Sequence, residues 1–225
     1  MTNRLLFLDT ETTGLDIIDN SSKYPNHRLT EIAVVESIDF ELTGKVFHTY
    51  LNPGRHLSAT AYRITGLTYD FLKTKPKFGE VAEEFLEFIG TSKLVIHNAK
   101  FDLKFLNFEL SLLNKPSLSN NEIIDTMILA RAKYPGQRAS LDALCKKFNI
   151  DNSSRVLHGA LLDAQLLARV YANIEDFAFQ FSLLKNDSTE NDLKSKFDSS
   201  KLLLLKANDD DRMDHLNLIE QIISS

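Results

Sequence analysis

The sequence predicts an α/β domain, a mixed sheet with helices on its faces, followed by a flexible C-terminal tail. Three observations carry that prediction. β-branched and apolar segments joined by short polar links dominate the first 51 residues, strands and helices alternate after them, and the composition changes beyond residue 174.

The elements follow in order. Residues 4–9, 31–38 and 44–51 read as strands, and their short links favour an antiparallel meander. Apolar residues at Phe78, Val81, Ala82, Phe85, Leu86 and Ile89 have the spacing of an amphipathic helix over 78–89. A short strand at 93–97 leads into a helix at 101–113 that ends near Pro116. Another strand is expected at 122–125, with helices at about 126–133, 140–148 and 159–173. Residues 185–200, KNDSTENDLKSKFDSS, are polar and aperiodic, as a flexible linker is. From about 201 to 223, Leu and Ile return at helical spacing. The expected division is a folded domain over 1–176, a linker over 177–200 and a terminal helix within 201–225.

Bulk properties exclude several classes. A chain of 225 residues with 43% hydrophobic and 25% charged residues suits one ordinary globular core plus an appendage. A single cysteine, Cys145, rules out an intramolecular disulfide and fits a reducing compartment. The apolar run 5–8 is too short for a secretion signal, and 202–205 is too short to span a bilayer, so a cytoplasmic protein with no membrane partner is expected. The net charge of −5 is unevenly placed. Residues 1–173 hold 20 basic and 20 acidic side chains, and residues 174–225 hold 6 and 11, which accounts for the whole −5. That balance argues against a long phosphate-tracking groove, but not against a small site where metals supply positive charge.

The chemistry concentrates in acids. In FLDTETTGLD, Asp9 and Glu11 are two residues apart, on one face of a strand. Alone, the pair is explained as a solvated turn. Asp102, in HNAKFD, stands where a strand gives way to a helix, and alone is explained by the helix dipole. In HGALLDA, His158 precedes Asp163 by five residues, and Asp163 falls among Leu161, Leu162, Leu166 and Leu167. A charge on so apolar a helix needs a partner. One reading covers all four acids: they surround two divalent ions, Mg²⁺ or Mn²⁺, which prefer oxygen ligands, with His158 beside them. Other motifs are weaker. Cys145 has helical spacing with Leu141 and Leu144 and reads as a core residue, His97 as a packed residue near the site, and Lys73, Lys75 and Lys77 as a solvated face or a contact to phosphates. None of the glycines falls in a P-loop or dinucleotide pattern.

DTETTG, HNAKFD and HGALLDA together resemble the three motifs of the DEDDh family of 3′→5′ exonucleases, whose fold is ribonuclease H-like. The resemblance covers about residues 4–173, with LNP (51–53), ITGLT (64–68) and SLDALCKKF (140–148) in register between the motifs. Within the family it is nearest to proofreading subunits of bacterial replicative polymerases. It implies that Asp9 bridges two metals, that Glu11 and Asp163 complete the nucleophile-side ion, and that Asp102 holds the other through water. It makes His158 the general base, whose ordinary pKa of about 6.5 suits that role, and it places Thr12, Thr13, Gly14, Thr60, Thr65, His97 and Asn98 near the substrate. Proofreading subunits usually carry a glutamate at the position of Thr60 and a histidine at that of Thr65, so the grip on the terminal nucleotide differs here. The expected substrate is a single-stranded or frayed DNA 3′ end, and the alternative is a stand-alone nuclease trimming RNA or short oligonucleotides. The resemblance extends to the tail. Residues 206–223 resemble a segment that binds the polymerase's alpha subunit, and Gln180–Leu184, QFSLL, resembles peptides that bind the sliding clamp.

Overall fold

A computed structural model of the chain describes residues 4–18, 26–153, 155 and 157–186, with side chains to residue 175. Five strands form one sheet: β1 (Arg4–Thr12), β2 (Leu29–Ile38), β3 (Glu41–Tyr50), β4 (Lys93–Ile96) and β5 (Ile123–Asp125). Their order is β3-β2-β1-β4-β5. β1, β2 and β3 pair antiparallel as the expected meander, while β4 and β5 join β1 in parallel.

The period of two along β1 sorts the core. Leu5 and Phe7, with Ala33, Val35 and Val95, pack under α5 (Thr126–Lys133), α6 (Leu141–Lys147) and α7 (Ala160–Asn186). Leu6 and Leu8, with Ile32, Val34, Leu94 and Ile96, pack against α3 (Phe78–Ile89) and α4 (Ala99–Leu112). Cys145 is fully buried in the first of these clusters, in the core role expected of it.

β1 outlasts its parallel partner. The last β1–β4 pair is Leu8 with Ile96, yet β1 continues to Thr12 against β2. Asp9 and Glu11 are therefore within the strand, not in a turn at its end, and the sheet beside them is open. By its odd number each acid faces the side of α7, whereas Thr10 faces the side of α4. An open edge at the carboxyl ends of parallel strands is where α/β sheets bind ligands.

Asp125 fastens the neighbouring elements. Its carboxylate accepts from the backbone N–H of Asn98 and Ala99, at the start of α4, and of Met127 and Ile128, at the start of α5. Two short helices, α1 (Ala59–Thr65) and α2 (Tyr69–Leu72), were not expected, because neither is long enough to show a period. α1 is defined by its caps instead: the Ser58 hydroxyl accepts from Ala61 N–H, and Gly66 ends the helix at φ 70°. α7 continues past the expected end near residue 173 to Asn186, so residues 177–186, expected to begin the linker, have helical backbone. No glycine or proline interrupts the chain there before Asn186-Asp187-Ser188. Residues 187–225 lie outside the described residues. Among the described residues no helix is long and apolar enough to cross a membrane.

Candidate active site

A cleft of about 370 Å³ opens at the exposed end of β1. Its walls include Asp9, Glu11, Thr12 and Gly14 from β1 and the turn after it, Thr65 from α1, His97, Asn98 and Asp102 at the start of α4, and His158 and Asp163 at the start of α7. The three motifs, far apart in sequence, meet here. Thr13 and Thr60 are not among the walls. Thr13 is fully buried, and its hydroxyl is engaged by the His27 ring at 2.9 Å and by Arg28 N–H at 3.0 Å. Thr60 faces Arg63 along α1. The Thr65 hydroxyl is spent on its own helix end, donating to Ala61 O and accepting from Leu67 N–H. At Gly14 a Cβ would come within 2.3 Å of the His27 ring, so any larger residue there requires that ring to move.

The acids are crowded and poorly hydrated. Glu11, Asp102 and Asp163 are buried and Asp9 is half-buried. Burial, and then the charges of Asp102, Glu11 and Asp163, hold Asp9 well above the usual carboxylate range. Burial, followed by Asp163 and Glu31, pushes Glu11 up to about 8. Burial raises Asp102 to about 7, against two hydrogen bonds from Thr10, from its N–H at 3.0 Å and its hydroxyl at 2.8 Å. Such values describe a site one kind of charge short. Ligand atoms of Glu11, His158 and Asp163 lie within 4.8 Å of one another, close enough for one ion to touch all three. The donor set is almost all oxygen, as Mg²⁺ and Mn²⁺ require, and the residues fit the ions.

The histidines differ. His158 is exposed at the rim, 3.6 Å from Asp163 through Nδ1, and burial of part of its ring lowers its pKa, so it is mostly neutral at pH 7. His97 is held by the Thr126 hydroxyl at 2.8 Å through Nδ1 and also stands in the cleft wall.

Sequence reasoning missed several site residues. Arg155 supplies the partner that Asp163 needed, with a bidentate pair at 2.5 and 2.7 Å. The demand for that partner was visible in the sequence, but which residue meets it was not: Arg169 stands nearer to Asp163 along the chain than Arg155 does. Glu31 stands opposite Glu11 in the β1–β2 register, buried and hydrogen-bonded to His48 at 2.7 Å. Leu15, Ile64, Phe101 and Met127 give the cleft apolar walls.

The fold and this acidic cleft define a metal-dependent nuclease. The exonuclease (RNase_T) family model matches residues 6–171, and the chain belongs to that family. Among its relatives is the DNA polymerase III subunit epsilon of Rickettsia felis, 43% identical over 231 residues that cover 99% of this chain and 98% of the relative. The protein of the same name from Escherichia coli is 47% identical over 171 residues, 75% of this chain and 70% of its own. Exonuclease X, solved in complex with 5′ overhanging duplex DNA, is 28% identical and superposes with a TM-score of 0.61 over 78% of this chain and 93% of that one. The enzyme is a divalent-metal-dependent 3′→5′ exonuclease.

Proposed function

We propose that the chain proofreads DNA synthesis as the epsilon subunit of a bacterial DNA polymerase III, removing nucleotides from single-stranded or frayed 3′ ends as 5′-monophosphates. One observation carries the reading: Asp9, Glu11, Asp102 and Asp163, from three separate elements, line one cleft together with Asp142, and among the described residues Arg155 is the only lysine or arginine in its walls. Asp9, Glu11, Asp102 and Asp163 would hold two ions, Mg²⁺ or Mn²⁺. Bound there, the ions supply an acidified water and neutralise charge during in-line displacement at phosphorus. His158, neutral near pH 7, takes the proton of the attacking water. The apolar walls at Ile64, Phe101 and Leu15 receive the face of the terminal base. Thr12, Gly14 and Asn98 line its approach.

The tail completes the reading. Met213, Leu216, Ile219 and Ile223 recur at helical spacing, so residues 206–223 would dock an apolar stripe on the DNA polymerase III alpha subunit. Gln180–Leu184 would bind the sliding clamp, with Phe181, Leu183 and Leu184 entering an apolar pocket. Its helical backbone in α7 would have to open for an extended peptide mode, which makes the contact weak alone and useful through effective concentration.

Nuclease assays on single-stranded DNA, mispaired DNA and RNA, with and without Mg²⁺, test the activity. Asp9→Ala should remove it with the fold intact. His158→Ala should lower the rate by about 10²–10⁴-fold with little change in Mn²⁺ binding. Preference for RNA over every DNA substrate would favour a stand-alone trimming nuclease instead.

A further inference from the structure

Arg155 makes more contacts than a salt bridge needs. Its side chain is only 6% exposed. Nε and Nη2 grip both oxygens of Asp163, Nη1 donates to Asp142 Oδ1 at 2.8 Å, and Nη2 donates to His158 Nδ1 at 2.9 Å. Asp142 is itself held by Asn152 at 3.0 Å. A guanidinium stays charged at any working pH and cannot accept a hydrogen bond. The direction of the contact with His158 follows: Nδ1 accepts, and the neutral ring carries its proton on Nε2.

A divalent ion and this guanidinium compete for Asp163. Both are cations, both need the lone pairs of the same buried carboxylate, and at contact distance in a poorly hydrated cleft their mutual repulsion is large. We propose that Arg155 is an internal substitute for the metal: it neutralises Asp163 and holds His158 in the tautomer that cannot accept through Nε2, until a divalent cation takes Asp163 and releases the guanidinium. This rests on Asp163 being a metal ligand. Once Arg155 leaves, Nδ1 can carry the ring proton toward Asp163, and the lone pair passes to Nε2. Filling the metal site and preparing the base become a single event. Before loading, the fork keeps one member of a repelling set of acids neutralised inside the fold.

The test titrates Mn²⁺ calorimetrically into the full-length protein without nucleic acid, comparing the parent with Arg155→Gln and Arg155→Lys. Arg155→Gln should bind Mn²⁺ on the order of tenfold tighter, because its competitor is gone. Arg155→Lys should fall between, as a point charge without the fork. Metal-free Arg155→Gln should melt below the parent, and saturating Mn²⁺ should close the gap. Equal or weaker Mn²⁺ binding by Arg155→Gln would overturn the proposal, since the arginine would then support the loaded site. If that variant does not fold, Arg155→Lys decides by the same comparison. Asp163→Asn separates the two failures. A parent that loses a Mn²⁺ site in Asp163→Asn but gains no affinity in either Arg155 variant refutes only the exchange. A parent whose Mn²⁺ binding ignores Asp163→Asn refutes the metal site as well.

Discussion

Helix α4 carries two acids, Asp102 and Glu109, seven residues or about two turns apart on one face, and each is 3% exposed. Their surroundings differ completely. Glu109 receives a bidentate arginine, with Arg28 Nε and Nη2 at 2.6 Å from its two oxygens. Asp102 receives a backbone N–H and a hydroxyl from Thr10, with other carboxylates across the cleft. On α4, the acid with an arginine that makes no other contact with the cleft is neutralised by the fold and serves stability. The acid given only neutral donors, among like charges, awaits a cation from outside.

Isosteric neutralisation of each acid in turn gives the largest expected difference. Asp102→Asn removes a metal ligand and should cut Mg²⁺-dependent hydrolysis by several orders of magnitude, while the metal-free protein is no less stable, because a like-charge repulsion is relieved. Glu109→Gln should leave turnover within a few-fold of the parent and cost about 1–3 kcal/mol, since it strands the partly exposed Arg28 guanidinium. Urea unfolding in EDTA and steady-state nuclease assays read both. The contrast fails if Glu109→Gln is the inactive variant.

A smaller effect separates the acids by pH. Folded Asp102 and Glu11 titrate near 7 and 8, above unfolded values near 4. Between those limits the folded state holds protons that the unfolded chain has lost, so stability is fully present below about pH 4 and falls as pH rises toward 8. Burial shifts partly exposed His158 below its ordinary value, the opposite sense, and this offsets a little of the fall. In EDTA the melting temperature should fall from pH 5 to pH 8, and Asp102→Asn should flatten the slope. Glu109→Gln should not. A melting temperature in EDTA that rises across this range would contradict the crowded, unpaired site.

The same contrast explains what could be read from the sequence. Asp9, Glu11, Asp102 and Asp163 stood out because each is an acid in or beside an apolar strand or helix, His158 stood out through the motif it shares with Asp163, and the motifs were short and contiguous. The strands and α3 were legible from periods of two and 3.6. α1 and α2 depend on single capping contacts, which alternation cannot reveal. Glu31 looked like a polar strand start, and only pairing with β1 brings it opposite Glu11. Arg155 was hidden for a related reason: a buried acid announces that it needs a cation, but many arginines in a chain could supply it. Thr13 and Thr65 sit inside legible motifs, yet their hydroxyls serve the backbone and not the cleft. A motif identifies which residues matter, and it does not say which way each side chain points.

The smallest predicted effect concerns the hydroxyl that helps hold Asp102. Thr10 and Asp102 are both buried, and the hydroxyl donates at 2.8 Å to the oxygen that also accepts the Thr10 N–H. Thr10→Val keeps the shape and the β-branch, so β1 should pair as before. It replaces a donor with a methyl group against a carboxylate, and a hydrogen bond to a charged group is worth about 1.5–3 kcal/mol. The backbone N–H remains, so the loss should fall at the low end of that range. Two consequences should separate. The pKa of Asp102 should rise further, which steepens the fall in EDTA stability between pH 5 and pH 8. Mn²⁺ affinity should weaken by roughly tenfold or less, because the ionised ligand is less favoured before the ion arrives. Saturating metal should then recover most of the turnover, unlike Asp102→Asn, which no metal concentration should rescue. If excess Mn²⁺ fails to rescue Thr10→Val, the hydroxyl does more than orient a ligand, and Thr10 belongs with the reacting groups.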